Sequence, residues 1–216
     1  MNTKRVLFSK GGELIFISHL DLAHTFVRAL GRANMPVAYS SGFNPHPKLV
    51  FALPLSVGME GKNELCDITL KSDDITDEDF FSALTAELPY QIKVKRVYTP
   101  DRKFSDIECA AYTVSVERAG LSDAFSEALS HTLTTVKKTK SGEKEIDLIP
   151  RIKEFSVTES DGITVLSLVL CAAGEEYLNP ELLMKALAEK GVLTSDDVYF
   201  ISRDSILFKD IREPLQ

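Results

Sequence analysis

Two periodicities alternate along this chain, and together they outline its elements. A short apolar strand over 6–8 is followed by a Gly11-Gly12 turn and a second extended piece over 14–17. From Ser18 the period lengthens. Leu22, Phe26, Ala29, Leu30 and Ala33 share one stripe of a helix that Ser18 and Asp21 cap and Asn34 ends, with Pro36 unable to continue it. Short strands are predicted at 37–39 and 49–55, and an alternating strand at 65–70. Thr76 caps a helix over 77–88, and a period-two strand follows over 92–98. The order strand, helix, strand, strand, helix, strand is the split βαβ arrangement of a ferredoxin-like sandwich.

A polar stretch containing Pro100 interrupts the pattern, and a second unit of the same order follows. Strands are predicted at 112–117, 133–140, 144–148, 155–158, 163–171 and 199–208. Helices are predicted at 121–129 and 180–190, the latter capped by Asn179 with Pro180 at its first position. Asp161-Gly162 is a hairpin signal, and Ser141-Gly142 joins another strand pair. The fold class predicted is α+β, with two ferredoxin-like (βαββαβ-type) sandwiches in tandem. Residues 1–98 form the first, 99–108 a connector, and 109–216 the second with an added strand.

The composition of the 216 residues is that of a globular protein, with 44% hydrophobic and 26% charged positions. The start of the chain is polar and carries no apolar signal region. The longest apolar run, 163–173, is too short to span a bilayer, so a cytoplasmic location and no membrane partner are expected. Cys66, Cys109 and Cys171 are widely spaced and form no Cys-x-x-Cys motif. Reduced, buried thiols and no iron–sulfur cluster or other cofactor are therefore expected. Net charge is −7, yet residues 1–50 carry Lys4, Arg5, Lys10, Arg28, Arg32 and Lys48 against only Glu13 and Asp21. Such a local basic excess can hold an anion within an acidic protein.

The candidate chemistry lies in 16–48. His19 falls in the first helical turn, where free N–H groups favour anions. His24, Arg28 and Arg32 line one face, and no acid lies four residues from either arginine. That face is read either as simply solvated or as a phosphate or carboxylate clamp. In Tyr39-Ser40-Ser41-Gly42-Phe43-Asn44-Pro45-His46-Pro47-Lys48, the two X-Pro bonds hold Asn44 and His46 extended. The segment is either a rigid crossing between strands or a preorganised binding loop. His19, Arg28, Tyr39, Asn44, His46 and Lys48 are expected to converge on one concave surface. A metal pair of His19 and His46 lacks close His-x-x-His or His-Glu spacing, so no metal is assigned. Lys137-Lys138-Thr139-Lys140 reads as a solvated strand edge.

The same residues carry a family resemblance. Phe8-Ser9-Lys10, Phe16-Ile17-Ser18-His19-Leu20-Asp21, Arg28-Ala29, Arg32-Ala33, the run from Tyr39 to Lys48, Phe51-Ala52-Leu53-Pro54-Leu55 and Gly58 resemble the radical SAM-linked uncharacterised bacterial domain family. The match is dense over residues 5–60, although Ala23-His24 stands where the family is expected to have a longer apolar or basic pair. The resemblance implies an accessory role beside a cobalamin-binding radical SAM protein, with no catalytic residue carried over. The function expected is a binding module without autonomous activity that holds an anionic substrate, with RNA the candidate. Its ligand-binding set is Lys10, His19, Arg28, Arg32, Tyr39, Phe43, Asn44, His46 and Lys48. Two alternatives stand: a metal-independent RNA-processing nuclease using His19 and His46 as general base and acid, and a protein-docking adaptor.

Overall fold

The computed structural model describes residues 2–139 and 142–209. It is a mixed α+β structure with mostly antiparallel strand pairing, and it divides between Asp106 and Ile107 into two compact units. Among the described residues, no helix is long and apolar enough to cross a membrane.

The first unit runs β1 (Asn2–Lys10), α1 (His19–Arg32), β2 (Leu49–Phe51), β3 (Glu60–Leu70), α2 (Asp77–Glu87) and β4 (Ile92–Tyr98). Its sheet order is β4-β1-β3-β2, and every neighbouring pair is antiparallel. Alternation in β1 sends Val6 and Phe8 into a core with Cys66, Ile68 and Leu70 of β3. Onto this layer α1 presses Leu22, Phe26, Ala29 and Leu30, and α2 presses Phe80 and Leu84. Each large side chain fully buried this way stabilises by roughly 1.5–3 kcal/mol.

Three expectations need correction here. The piece at 14–17 is not a strand: Gly12–Phe16 is a 3-10 turn that Gly12 enters at φ 57°. Leu14 and Ile17 pack against the core from this turn, so their apolar character needs no strand to satisfy it. Residues 37–39 make only isolated bridges, at Val37 and Tyr39. The strand begun at Leu49 stops at Phe51 rather than 55, and Pro54, which has no N–H to donate, lies beyond it.

The second unit contains β5 (Ile107–Val116), α3 (Ser122–Ser130), β6 (Thr134–Thr139), β7 (Gly142–Asp147), β8 (Ile152–Ser160), β9 (Ile163–Cys171), α4 (Pro180–Glu189) and β10 (Tyr199–Phe208). β5 begins inside the stretch expected as a connector, whose end is a single 3-10 turn, Phe104–Asp106. The sheet order is β10-β5-β9-β8, while β6 and β7 pair with each other. Asp161 and Gly162 both take positive φ, 51° and 81°, the turn whose twist suits the β8–β9 hairpin. Lys140 and Ser141 lie outside the described residues, so neither the Ser141-Gly142 turn nor the lysine edge is described.

One polar pair is built into the first unit's sheet. Arg5 and Asp67 stand opposite each other across β1 and β3. Arg5 Nε donates to Oδ1 at 2.6 Å and Nη2 to Oδ2 at 2.8 Å. The Phe104 ring centroid lies 4.2 Å from the guanidinium carbon, and Arg5 is only 1% exposed. Burial disfavours the cation, but the bonds to Asp67 and its charge outweigh this, so the Arg5 pKa is raised. Removing one partner of a buried pair costs far more than the pair contributes. Asp67→Ala is expected to lose about 3 kcal/mol of unfolding free energy, read as a lower urea midpoint at unchanged slope; a loss below about 1 kcal/mol would show the pair to be dispensable.

Candidate functional site

The start of α1 is organised by a reciprocal cap. Ser18 Oγ accepts from the Asp21 N–H at 3.1 Å, and the Ser18 hydroxyl donates to Asp21 Oδ2 at 2.6 Å. The Ser18 N–H reaches the same carboxylate at 3.4 Å. These bonds hold the Asp21 carboxyl below its usual range, the hydroxyl first and the N–H second, with help from the charges of His24 and Arg28. His19 turns its ring edge-on to Phe51 at 5.2 Å, and Phe51 in turn packs on Phe8 and Phe26. His19 is thus the polar rim of an aromatic cluster. Beside it, Phe16 and Leu20 remain 70% and 68% exposed.

Further along α1, His24 and Arg28 are exposed. Arg32 is not the unbalanced cation that the helix sequence suggests. Its Nε donates to Glu87 of α2 at 2.6 Å, and a second nitrogen bonds the Glu87 carbonyl. The acid missing from α1 is supplied 55 positions away. Lys10 is only 1% exposed at the end of β1.

Residues 38–48 form a narrow irregular hairpin. The Ser40 N–H donates to the His46 carbonyl at 2.8 Å, and the His46 N–H donates to Ser40 Oγ at 3.0 Å. Lys48 N–H bonds Ala38 at 2.8 Å, and Tyr39 bridges Pro47. The root is moored to β3: Ala38 donates to Thr69, Thr69 to Lys48, and Lys71 to Pro36. Beyond it, the tip carries Phe43 wholly exposed, with Asn44 and His46 also exposed and Lys48 partly covered. Tyr39 is half exposed, and Lys71 Nζ stands 5.6 Å from its ring centroid. A cavity of about 150 Å³ opens at this root, lined by Val27, Leu30, Gly31, Met35, Tyr39 and Pro47 among others.

The residues expected to converge come from α1 and from the hairpin that follows it. The hairpin root shares its cavity with the C-terminal part of α1, whereas His19 is the first residue of that helix. Fourteen residues at about 1.5 Å each put the two ends roughly 20 Å apart. Tyr39, Asn44, His46 and Lys48 share the hairpin, Arg28 lies on an exposed face of α1, and His19 meets Phe51 of β2, the strand that follows Lys48. Lys71 joins the hairpin group, brought there by β3; nothing near it in the sequence marks it. Among the described residues there is no group of three or more His, Cys, Asp or Glu that could hold a metal ion.

A family described as "Uncharacterized protein conserved in bacteria" (DUF2344) has a sequence model that matches residues 4–180. No curated protein matches the chain. Among solved structures, the crystal structure of an unknown protein from Galdieria sulphuraria is similar at 14% identity, over 94% of this chain and 98% of that one, with a TM-score of 0.27.

The capping box yields a pH dependence. Because Asp21 is depressed in the folded chain, its contribution is full above the unfolded value of about 3.9 and is lost as pH falls through the lower folded value. Amide exchange in the first turn of α1 should accelerate over that acidic window, and Asp21→Asn should remove the dependence. A first turn equally protected at all pH values in the native chain would show that the carboxylate does not hold it.

Proposed function

The chain belongs to this family of uncharacterised bacterial proteins, and on that premise we propose that it is an accessory binding module that docks a protein partner through the hairpin at 38–48. The observation that carries this is Phe43, an aromatic side chain wholly exposed on a loop braced at its root. A ring left in water has no folding role, whereas a rigid ring that enters a partner's pocket is the usual anchor of an interface. The bonds between Ser40 and His46 and the two prolines reduce the ordering cost of binding. The partner we propose is a cobalamin-binding radical SAM protein, the class implied by the resemblance over residues 5–60. We also read both units as ferredoxin-like sandwiches. In each, with β6 and β7 set aside, the strands lie in the order fourth, first, third, second, which supports two split βαβ units in tandem.

A second reading rests on Tyr39 and Lys71. A half-exposed ring with an ammonium beside it suits a stacked base and its phosphate, so single-stranded RNA is the anionic ligand this group would hold. Arg28 would add charge from the helix face. The nuclease alternative requires that His19 and His46 both reach one phosphate as general base and acid.

Two measurements separate the readings. Titration of the purified chain with a cobalamin-binding radical SAM protein from the same organism should give an affinity that Phe43→Ala lowers at least about tenfold, or 1.4 kcal/mol. An unchanged affinity would remove the docking role of the loop. For RNA, a labelled single strand should bind more weakly as salt rises. The double variant Arg28→Ala, Lys71→Ala should flatten that dependence by roughly 0.7 in slope for each phosphate no longer neutralised. An unaltered slope would retire the RNA reading.

A further inference from the structure

The two cysteines of the second unit face one another. Cys109 of β5 is registered directly against Cys171 of β9. The adjacent pair is hydrogen-bonded, with the Ala172 N–H donating to the Glu108 carbonyl at 2.9 Å. Ladder alternation then makes Cys109 and Cys171 a non-hydrogen-bonded pair, the kind whose Cα atoms approach to about 4.5 Å. That spacing lies within the range of about 4.4–6.8 Å that disulfides span, and directly opposed residues point to the same face of the sheet. Both thiols are free and buried.

Lys153 of β8 is exposed, and its pKa is raised, first by its electrostatic interaction with Cys171. Cys171 Sγ also lies 3.9 Å from the Glu176 carboxylate. Cys109 is pushed up to about 11, first by burial and then by Cys171. The thiolate is the attacking species in disulfide exchange.

We propose that Cys109 and Cys171 are a reversible redox pair, closed to a cross-strand disulfide by a low-molecular-weight disulfide and reopened by a thiol. In the first step one of the two thiols gives up its proton and attacks one sulfur of the oxidant. The oxidant's S–S bond breaks, and half of it leaves as a thiolate that takes up the proton. In the second step the facing thiol gives up its proton and attacks the chain's sulfur in the mixed disulfide, expelling the other half as a thiol. The chain loses two S–H hydrogens and gains one S–S bond; the oxidant is reduced to two thiols. Exchange through Cys109 is slow at neutral pH, because the burial that raises it keeps its thiolate scarce. Cys66 takes no part: it lies on β3 of the first unit, opposite Val6 and Phe51.

The test uses the native full chain, incubated with oxidised glutathione, acid-quenched, alkylated and mapped by mass spectrometry. Two of the three free thiols should disappear together, a linked Cys109–Cys171 peptide should appear, and dithiothreitol should reverse both. Cys109→Ser and Cys171→Ser should each stop at one mixed disulfide with glutathione and form no internal link. Native thiols that stay intact while the urea-unfolded chain oxidises would overturn the proposal, as would a link through Cys66. The wild-type peptide map decides the pairing even if a variant misfolds.

Discussion

The register between β1 and β3, held by the buried fork of Arg5 on Asp67, is inherited by everything nearer the surface of the first unit. A slip of one residue would turn Val6 and Phe8 away from the helices and leave the guanidinium without its matched carboxylate. β3 then carries the order outward. β2 lies along it, and Thr69 and its neighbours moor the root of the hairpin by main-chain bonds. The exposed loop thus depends on an ion pair in the sheet, through a chain of bonds in which each position follows from the last. The Phe104 ring on the guanidinium extends the same ordering to the segment that ends the unit.

Helix α1 presents different chemistry at its two ends. Its start is a polar cap beside exposed Phe16 and Leu20, with His19 at the rim of an aromatic cluster. Its end meets the hairpin, where Tyr39 and Lys71 stand over a small cavity. The amphipathic stripe that drives α1 onto the sheet sets this separation, because a helix packed along its whole length cannot bring its ends together.

What was legible in the sequence was local. Ser18 with Asp21, Thr76, Asn179 before Pro180, and Asp161-Gly162 each act on backbone groups two or three residues away, and the structure uses them in those ways. The candidate loop was legible for the same reason, since a proline constrains the residue before it. The rest depends on partners distant in sequence. Glu87 neutralises Arg32 from another helix, and Lys71 reaches Tyr39 only because β3 ends there. Cys109 meets Cys171 through strand pairing that spacing along the chain cannot reveal. The turn at Gly12–Phe16 escaped because apolar residues that pack from a turn have the same composition as a strand.

The hairpin closes on itself at Ser40 and His46, and the residues beyond that closure lend almost nothing to the core. Mutation there is consequently uncoupled from stability. A lineage can lengthen the tip, exchange its aromatic ring or invert its charge, and the folded unit beneath will not register the change. Selection for a new partner can then proceed without compensating substitutions elsewhere, so this loop is where divergence in recognition can accumulate while the scaffold stays constant.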